Sequence, residues 1–311
     1  MKEKIYSVLR KIPFLKLIYK KITETQSFTK PKYFLNNSQK SSTVCFVLAG
    51  YKSYTWDIVF KRIAKFTPQN IDICIVGSGI YSEKLKCIAQ DNKWSYVVIK
   101  RNCVTLALNS AINLFPYAEN IYKLDEDIFI TKNFFQNVKN AYEQATKDYI
   151  PGFAAPLIPI NGFGYRKVLE KFGLVEEYTK RFEYPVISAG AKMHIENDPE
   201  VAKFFWNDIP HIDELNAHLT EFGFSVCPIR FSIGAIFFKR KMIEEVGYFP
   251  VRKGTCMGLD EVFLCNLATS DSKAIIVAEN ALVGHLSFGK QNEIMHEFYI
   301  NNPNRFEIRE V

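Results

Sequence analysis

From residue 43 onward, short apolar runs alternate with amphipathic stretches. The runs over 44–49, 71–76, 96–100 and 120–124 predict strands, and the three- and four-residue apolar spacing over 56–66, 83–92 and 104–114 predicts helices. Strands alternating with helices of this length imply a parallel, doubly wound sheet, which binds ligands beyond the carboxyl ends of its strands. The second half is less regular. Pro, Gly and aromatic residues cluster over 151–165, helical spacing returns over 166–181 and 199–221, and a strand over 231–239 runs into a short helix over 240–246. A helix over 258–268 and a strand over 274–277 follow. Ahead of the alternation, Ile5, Val8, Leu9, Ile12, Leu15, Ile18 and Ile22 recur at helical spacing with lysines between them, and Pro13 should kink or divide that helix. Residues 23–42, rich in Thr, Ser, Asn and Lys, read as a linker.

Composition narrows this picture. A chain of 311 residues with 48% hydrophobic side chains can build a large core, which argues against disorder. The net charge of +7 comes from residues 1–32, and the remaining body is neutral, which argues against a nucleic-acid partner. A basic amphipathic helix over 1–22 suits an anionic membrane surface; packing on its own domain or on a partner is the alternative. No apolar run reaches the roughly 18–20 residues that cross a bilayer, and the N-terminus lacks a secretory cleavage pattern. Seven cysteines without a CxxC pair fit a reducing cytoplasm better than a disulfide framework. The expected location is therefore cytoplasmic, peripheral on the inner face of the cell membrane.

The candidate chemistry starts at Asp125-Glu126-Asp127, set between the apolar runs Ile121–Leu124 and Ile128–Ile130. Burying like charges within three residues is costly unless a cation neutralises them, and hard oxygen ligands suit Mg²⁺ or Mn²⁺ bridged to substrate phosphates. An acidic turn closing a strand would look the same locally. Its position tips the balance, because Gly50-Tyr51, Gly77-Ser78-Gly79 and the triplet all fall at predicted strand ends. Asp260-Glu261 opens an apolar helical run, as a helix cap or as a general base for a hydroxyl. His285 ends a strand before Ser287-Phe288-Gly289-Lys290; it is a structural histidine or a further metal ligand, and Lys290 could add charge near phosphate.

In this order, residues 43–290 resemble a metal-dependent glycosyltransferase of the A-type fold (GT-A), similar to the family-2 group. The matching features are Ala49-Gly50-Tyr51, Asn102 and Asn109, Leu124-Asp125-Glu126-Asp127, Ile233-Gly234-Ala235, Phe238-Lys239-Arg240, Glu245 to Phe249, Asp260-Glu261 and His285. The resemblance implies a Rossmann-like, mostly parallel central sheet flanked by helices, with an acceptor-side subregion. Residues 43–130 would be the nucleotide-sugar-binding half and 131–290 the acceptor half, preceded by 1–42 and followed by a tail over 291–311. Asp127 would bind a divalent cation, Mn²⁺ or Mg²⁺; Asp125 would contact the cation or the ribose, and His285 would complete the site. Ala49, Tyr51, Gly77 and Ser78 would hold the nucleoside, with Asn102 and Asn109 as further donor-side residues. Asp260 or Glu261 would be the base of an inverting transfer, Gly234 and Ala235 would border the acceptor, and Glu126 would be a bystander.

Three positions depart from the family pattern. Gly77-Ser78 stands where an acidic residue often reads the base, Leu108 replaces an arginine, and the usual Glu-Asp order is reversed at Asp260-Glu261. The expected activity is hexosyl transfer from a nucleotide-sugar, with a UDP-sugar as donor, to a hydroxyl of a glycan or lipid-linked saccharide in cell-surface polysaccharide synthesis. A catalytically inactive glycan-binding or membrane-associated scaffold, or a retaining transferase of the same fold, is the alternative. A sugar nucleotidyltransferase would need a glycine-rich phosphate loop after the first strand, which Ala49-Gly50-Tyr51-Lys52-Ser53 does not supply.

Overall fold

The computed structural model describes residues 27–189 and 193–311, so the amphipathic segment expected over 1–22 lies outside the described residues. The first half builds β1 (Tyr33–Leu35), β2 (Thr43–Leu48), α1 (Trp56–Phe66), β3 (Asp72–Ser78), α2 (Glu83–Asp91), β4 (Ser95–Ile99), α3 (Val104–Leu114) and β5 (Asn120–Asp125). β6 (Ile128–Ile130), α4 (Phe134–Ala145) and β7 (Pro151–Leu157) follow. A helical insert then runs through α5 (Gly162–Lys171), α6 (Val175–Phe182), α7 (His194–Asn197), α8 (Pro199–Asn207) and α9 (Ile212–His218). The chain closes with β8 (Phe224–Cys227), β9 (Ala235–Lys239), α10 (Arg240–Glu245), α11 (Leu259–Ser270), β10 (Ala274–His285) and α12 (Asn292–Asn301). Among the described residues no helix is long and apolar enough to cross a membrane.

All strands but β8 follow the order β1-β4-β3-β2-β5-β9-β7-β10-β6, with β8 paired to β10. The sheet is mostly parallel: β2, β3, β4, β5, β7 and β10 run one way, while β1, β6, β8 and β9 run against them. β2 and β3 are buried along their whole length, as strands covered on both faces must be. The chain lays β3 and β4 on one side of β2 and then returns to place β5 on the other. The loops after β2 and β5 therefore part at a switch point, with Leu48 in register with Asp125 and Ser78 with Ile99.

The second half joins the same sheet. β9 pairs antiparallel with β5, Ala235 opposite Leu124. The far end of β10 pairs with β6, setting His285 opposite Ile128.

Several expectations change here. The linker over 23–42 contains β1, whose Phe34 lies opposite Val97. Residues 291–311 are not a tail: Met295, Tyr299 and Phe306 are buried in the core. The cluster over 151–157 is a buried strand despite Pro151 and Pro156; the ladder with β10 shifts register between Ala278 and Leu282, next to Pro156, which cannot donate. Trp206, within the half expected to hold the acceptor, packs in the core against Phe129 and Phe306, with ring centroids at 5.3 and 4.3 Å.

Candidate active site

The loop after β2 is held by an acceptor that looked idle in the sequence. The buried Glu126 carboxylate accepts hydrogen bonds from the N–H groups of Gly50 (2.8 Å) and Tyr51 (2.9 Å) and from Trp56 Nε1 (2.6 Å). Thr55 Oγ1 donates to the Glu126 carbonyl at 2.6 Å. Glu126 is thus no bystander. It converts the middle of the triplet into a clamp that fixes where β2 hands over to α1, through charge-assisted bonds.

Asp125 and Asp127 then face a cavity of about 380 Å³ at the strand ends, also lined by Ala49, Tyr51, Ser78, Asn102, Gly234, Asp260 and His285. Each carboxylate has its own cation. Lys52 Nζ lies 2.6 Å from Asp127 Oδ2, and His285 Nε2 approaches the same oxygen at 3.3 Å. Lys123, almost wholly buried, lies 2.7 Å from Asp125 Oδ1 and 4.0 Å from Asp260 Oδ2, and donates to the Ile233 carbonyl at 2.9 Å. Burial would raise the Asp127 carboxyl, but the charges and hydrogen bonds of His285 and Lys52 outweigh it and hold the group well below the usual carboxylate range. Asp125 goes the other way. Burial, with the charges of Asp127 and Asp260, outweighs Lys123 and pushes it up to about 6. Burial works against both lysines, yet their carboxylate partners raise their pKa values above the ordinary one and keep them cationic.

The long-range contacts follow from pairing. β6 on β10 brings His285 beside the triplet, and the Leu286 N–H donates to the Asp127 carbonyl at 3.2 Å. β5 on β9 brings Gly234 over Asp125, whose N–H donates to the Gly234 carbonyl at 2.8 Å. Gly258 takes the left-handed region at φ 71° and starts α11, so that Asp260 enters the cavity. Glu261 also borders the cavity but pairs with Arg230 outside it.

The residues expected on the donor side divide. Tyr51 is 55% exposed, while its hydroxyl donates to the Ser78 carbonyl at 2.8 Å. Ser78 Oγ accepts from the Cys103 N–H at 2.8 Å and lies 3.4 Å from Asn102 Oδ1.

Three expected donor contacts move elsewhere. Gly77 does not line the cavity: a Cβ there would meet the Ile80 carbonyl at 2.7 Å, so the glycine serves close backbone packing. Asn109 is buried and exchanges hydrogen bonds with the backbone of Phe249, at 2.8 and 3.0 Å, a structural tie between α3 and the segment after α10. Lys290 is exposed and outside the cavity, which Phe288 and Gly289 border instead. Ala235 lies buried within β9, and of that pair only Gly234 reaches the site. Lys52 and Lys123 were missed. Their only sequence signal was a lysine just after a strand-end loop and a single charge inside the apolar run of β5.

Among the described residues no three His, Cys, Asp or Glu side chains form a ready-made cage. Mg²⁺ and Mn²⁺ sites do not require one, because phosphates and waters complete them. The buried His285 Nδ1 has no hydrogen-bond partner, and the contacts of Lys52 and His285 with Asp127 both fall on Oδ2, leaving Oδ1 clear of them. Two carboxylates and an imidazole on one cavity therefore fit such an ion by donor chemistry, with Lys52 as its competitor for Asp127.

No family model and no curated protein matches the chain. Among solved structures it is similar to the mannosyltransferase PcManGT from Pyrobaculum calidifontis in complex with GDP-Man and Mn²⁺, at 12% identity and a TM-score of 0.45, over 86% of this chain and 64% of that one. It is also similar to GalNAc-T7 with UDP, GalNAc and Mn²⁺, at 15% identity and a TM-score of 0.45, over 86% of this chain and 52% of that one. The chain thus spans less than two thirds of the length of either structure.

Proposed function

We propose that the chain is a divalent-cation-dependent glycosyltransferase that moves a hexosyl group from a nucleotide-sugar to a hydroxyl of a glycan or lipid-linked saccharide, with inversion. The observation that carries this reading is the convergence of Asp125, Asp127, Asp260, His285, Lys52 and Lys123 on one cavity at the carboxyl ends of β2, β3 and β5. In this reading Tyr51 offers its ring face to the nucleoside, with Ala49, Ser78 and Asn102 beside it. Asp127, Asp125 and His285 hold the cation, which when bound would offset charge on the departing nucleotide diphosphate. Lys52 supplies a second positive charge at the same place, next to Asp127.

Asp260 is the proposed base. It takes the proton from the acceptor hydroxyl as that oxygen attacks the anomeric carbon, and attack from the face opposite the leaving group inverts the centre. Glu261 is excluded from that role in this reading by its pairing with Arg230. Ser232, Ile233 and Gly234 border the cavity on the side left for the acceptor. The basic amphipathic pattern over 1–22 supports an acceptor presented at an anionic membrane surface, consistent with surface polysaccharide synthesis. Calorimetric titration of nucleoside diphosphates with and without Mn²⁺ should give Mn²⁺-dependent binding that Asp127→Ala removes. Undiminished binding and transfer in that variant would sink the proposal.

A further inference from the structure

The thiols of Cys103 and Cys256 approach to 2.7 Å, well short of ordinary sulfur contact and a little beyond a disulfide bond of about 2.0 Å. Their positions make the contact consequential. Cys103 stands at the head of α3, its N–H donating to Ser78 Oγ, and Ser78 lines the cavity. Cys256 belongs to the loop 252–258 that delivers Gly258 and Asp260. Arg101 already reaches across to the carbonyls of Arg252 and Gly254, and the Val104 N–H donates to the Thr255 carbonyl at 3.0 Å. Asn102 and Val104 line the cavity from one side of this seam, Thr255 and Met257 from the other. Within the loop, Gly254 and Gly258 take the left-handed region at φ 89° and 71°, as glycines readily do. Cys256 takes it at φ 56°, where a side chain is disfavoured, and points its thiol at a second thiol.

We propose that Cys103 and Cys256 form a redox-active dithiol that closes to a disulfide and locks the loop 252–258 against the head of α3. The oxidant is a small disulfide of the glutathione class. Cys256, 9% exposed where Cys103 is 0%, attacks as the thiolate on one sulfur of that molecule, forming a mixed disulfide and releasing one small thiol. Cys103 then attacks the Cys256 sulfur and releases the second. Two cysteine thiols are oxidised, one small disulfide is reduced, and the two protons leave on the two released thiols. Burial raises the Cys256 thiol, but hydrogen bonds from Cys103, the Arg252 backbone and Thr105, with the charge of Arg101, outweigh it and leave the group below the ordinary cysteine value. In a reducing compartment such a pair stays open and closes only on oxidation.

The test uses the full chain with Cys87→Ser, which removes the exposed thiol. After incubation of the folded protein with oxidised glutathione, intact mass should fall by two hydrogens, and peptide mapping should link 103 to 256, reversibly with dithiothreitol. Oxidation should raise the unfolding temperature by several degrees and slow tryptic cleavage at the exposed Arg252 and Lys253 several-fold. Cys256→Ser should show neither change. A protein whose thiols all remain open to alkylation, a glutathione adduct that stops at Cys256, or a link between another pair would overturn the dithiol. A 103–256 bond that leaves unfolding and proteolysis unchanged would overturn the lock.

Discussion

Asp127 shares one oxygen between Lys52 and His285, Asp125 leans on Lys123, and Glu126 is absorbed by the backbone of the first loop. Three adjacent acidic residues thus have three different fates, and substitutions should separate them. Glu126→Gln keeps the size but loses the charged acceptor of three donors, and should cost about 2 kcal/mol of stability in urea unfolding. Asp260→Asn should lower kcat by roughly 10²–10⁴-fold while leaving donor affinity nearly unchanged, the range expected for loss of a general base. Glu261→Gln, whose carboxylate pairs with Arg230, should leave kcat nearly unchanged. Equal losses in the two variants, measured by steady-state kinetics, would refute Asp260 as the sole base.

At the scale of elements, β10 organises the second half, because it pairs with β7, β8 and β6 and ends at His285. Gly284 has no room for a side chain: an added Cβ would run into the Trp206 indole from α8. Gly284→Ala should therefore cost about 1–3 kcal/mol, as overpacking does, and disturb His285 alongside.

Glu279, on the same strand, ties it to α5 through Lys167 at 3.1 Å and Lys171 at 2.9 Å, and to β8 through Ser225. Burial would raise its carboxyl, but Ser225, Lys171 and Lys167 outweigh it and hold the group down at about 2, below its ordinary 4.5. A carboxylate depressed in the folded state contributes stability that is complete above pH 4.5 and is lost as pH falls toward 2. Glu279→Gln should accordingly be less stable than the parent at neutral pH, with the gap closing across that acidic window in denaturation series. A gap that stays constant with pH would contradict the pairing.

For the whole molecule, the decisive tie is Arg62. Fully buried on α1, it pairs with both oxygens of Asp213 on α9 at 2.9 Å and donates to the carbonyls of Ile130, Phe306 and Glu307 at 3.0, 3.0 and 2.9 Å. One side chain thus gathers α1, the end of β6, the helical insert and the C-terminal segment. Breaking such a pair from one side leaves an uncompensated buried charge, so Arg62→Ala should cost about 3–5 kcal/mol and expose the segment after α12 to proteolysis. Asp213→Asn should move stability in the same direction. A melting temperature unchanged in both variants would count against the tie.

The sequence by itself determined the first half of the sheet: apolar runs and amphipathic spacing between 43 and 125 report local burial, and local burial is what makes a parallel strand or a covering helix. It also placed the triplet, Asp260 and His285 as candidates, since charge at the end of an apolar run is visible without a partner. Only the tertiary structure decided what those charges meet. Lys123, Lys52 and Glu126 have roles that depend on which loop lies opposite, and the β6–β10 and β5–β9 pairings that choose those neighbours join residues more than a hundred positions apart. β7 was hidden because its prolines read locally as turn residues, and α12 because its burial is granted by the rest of the molecule. Periodicity records which face of an element is covered; register and long-range pairing decide by what.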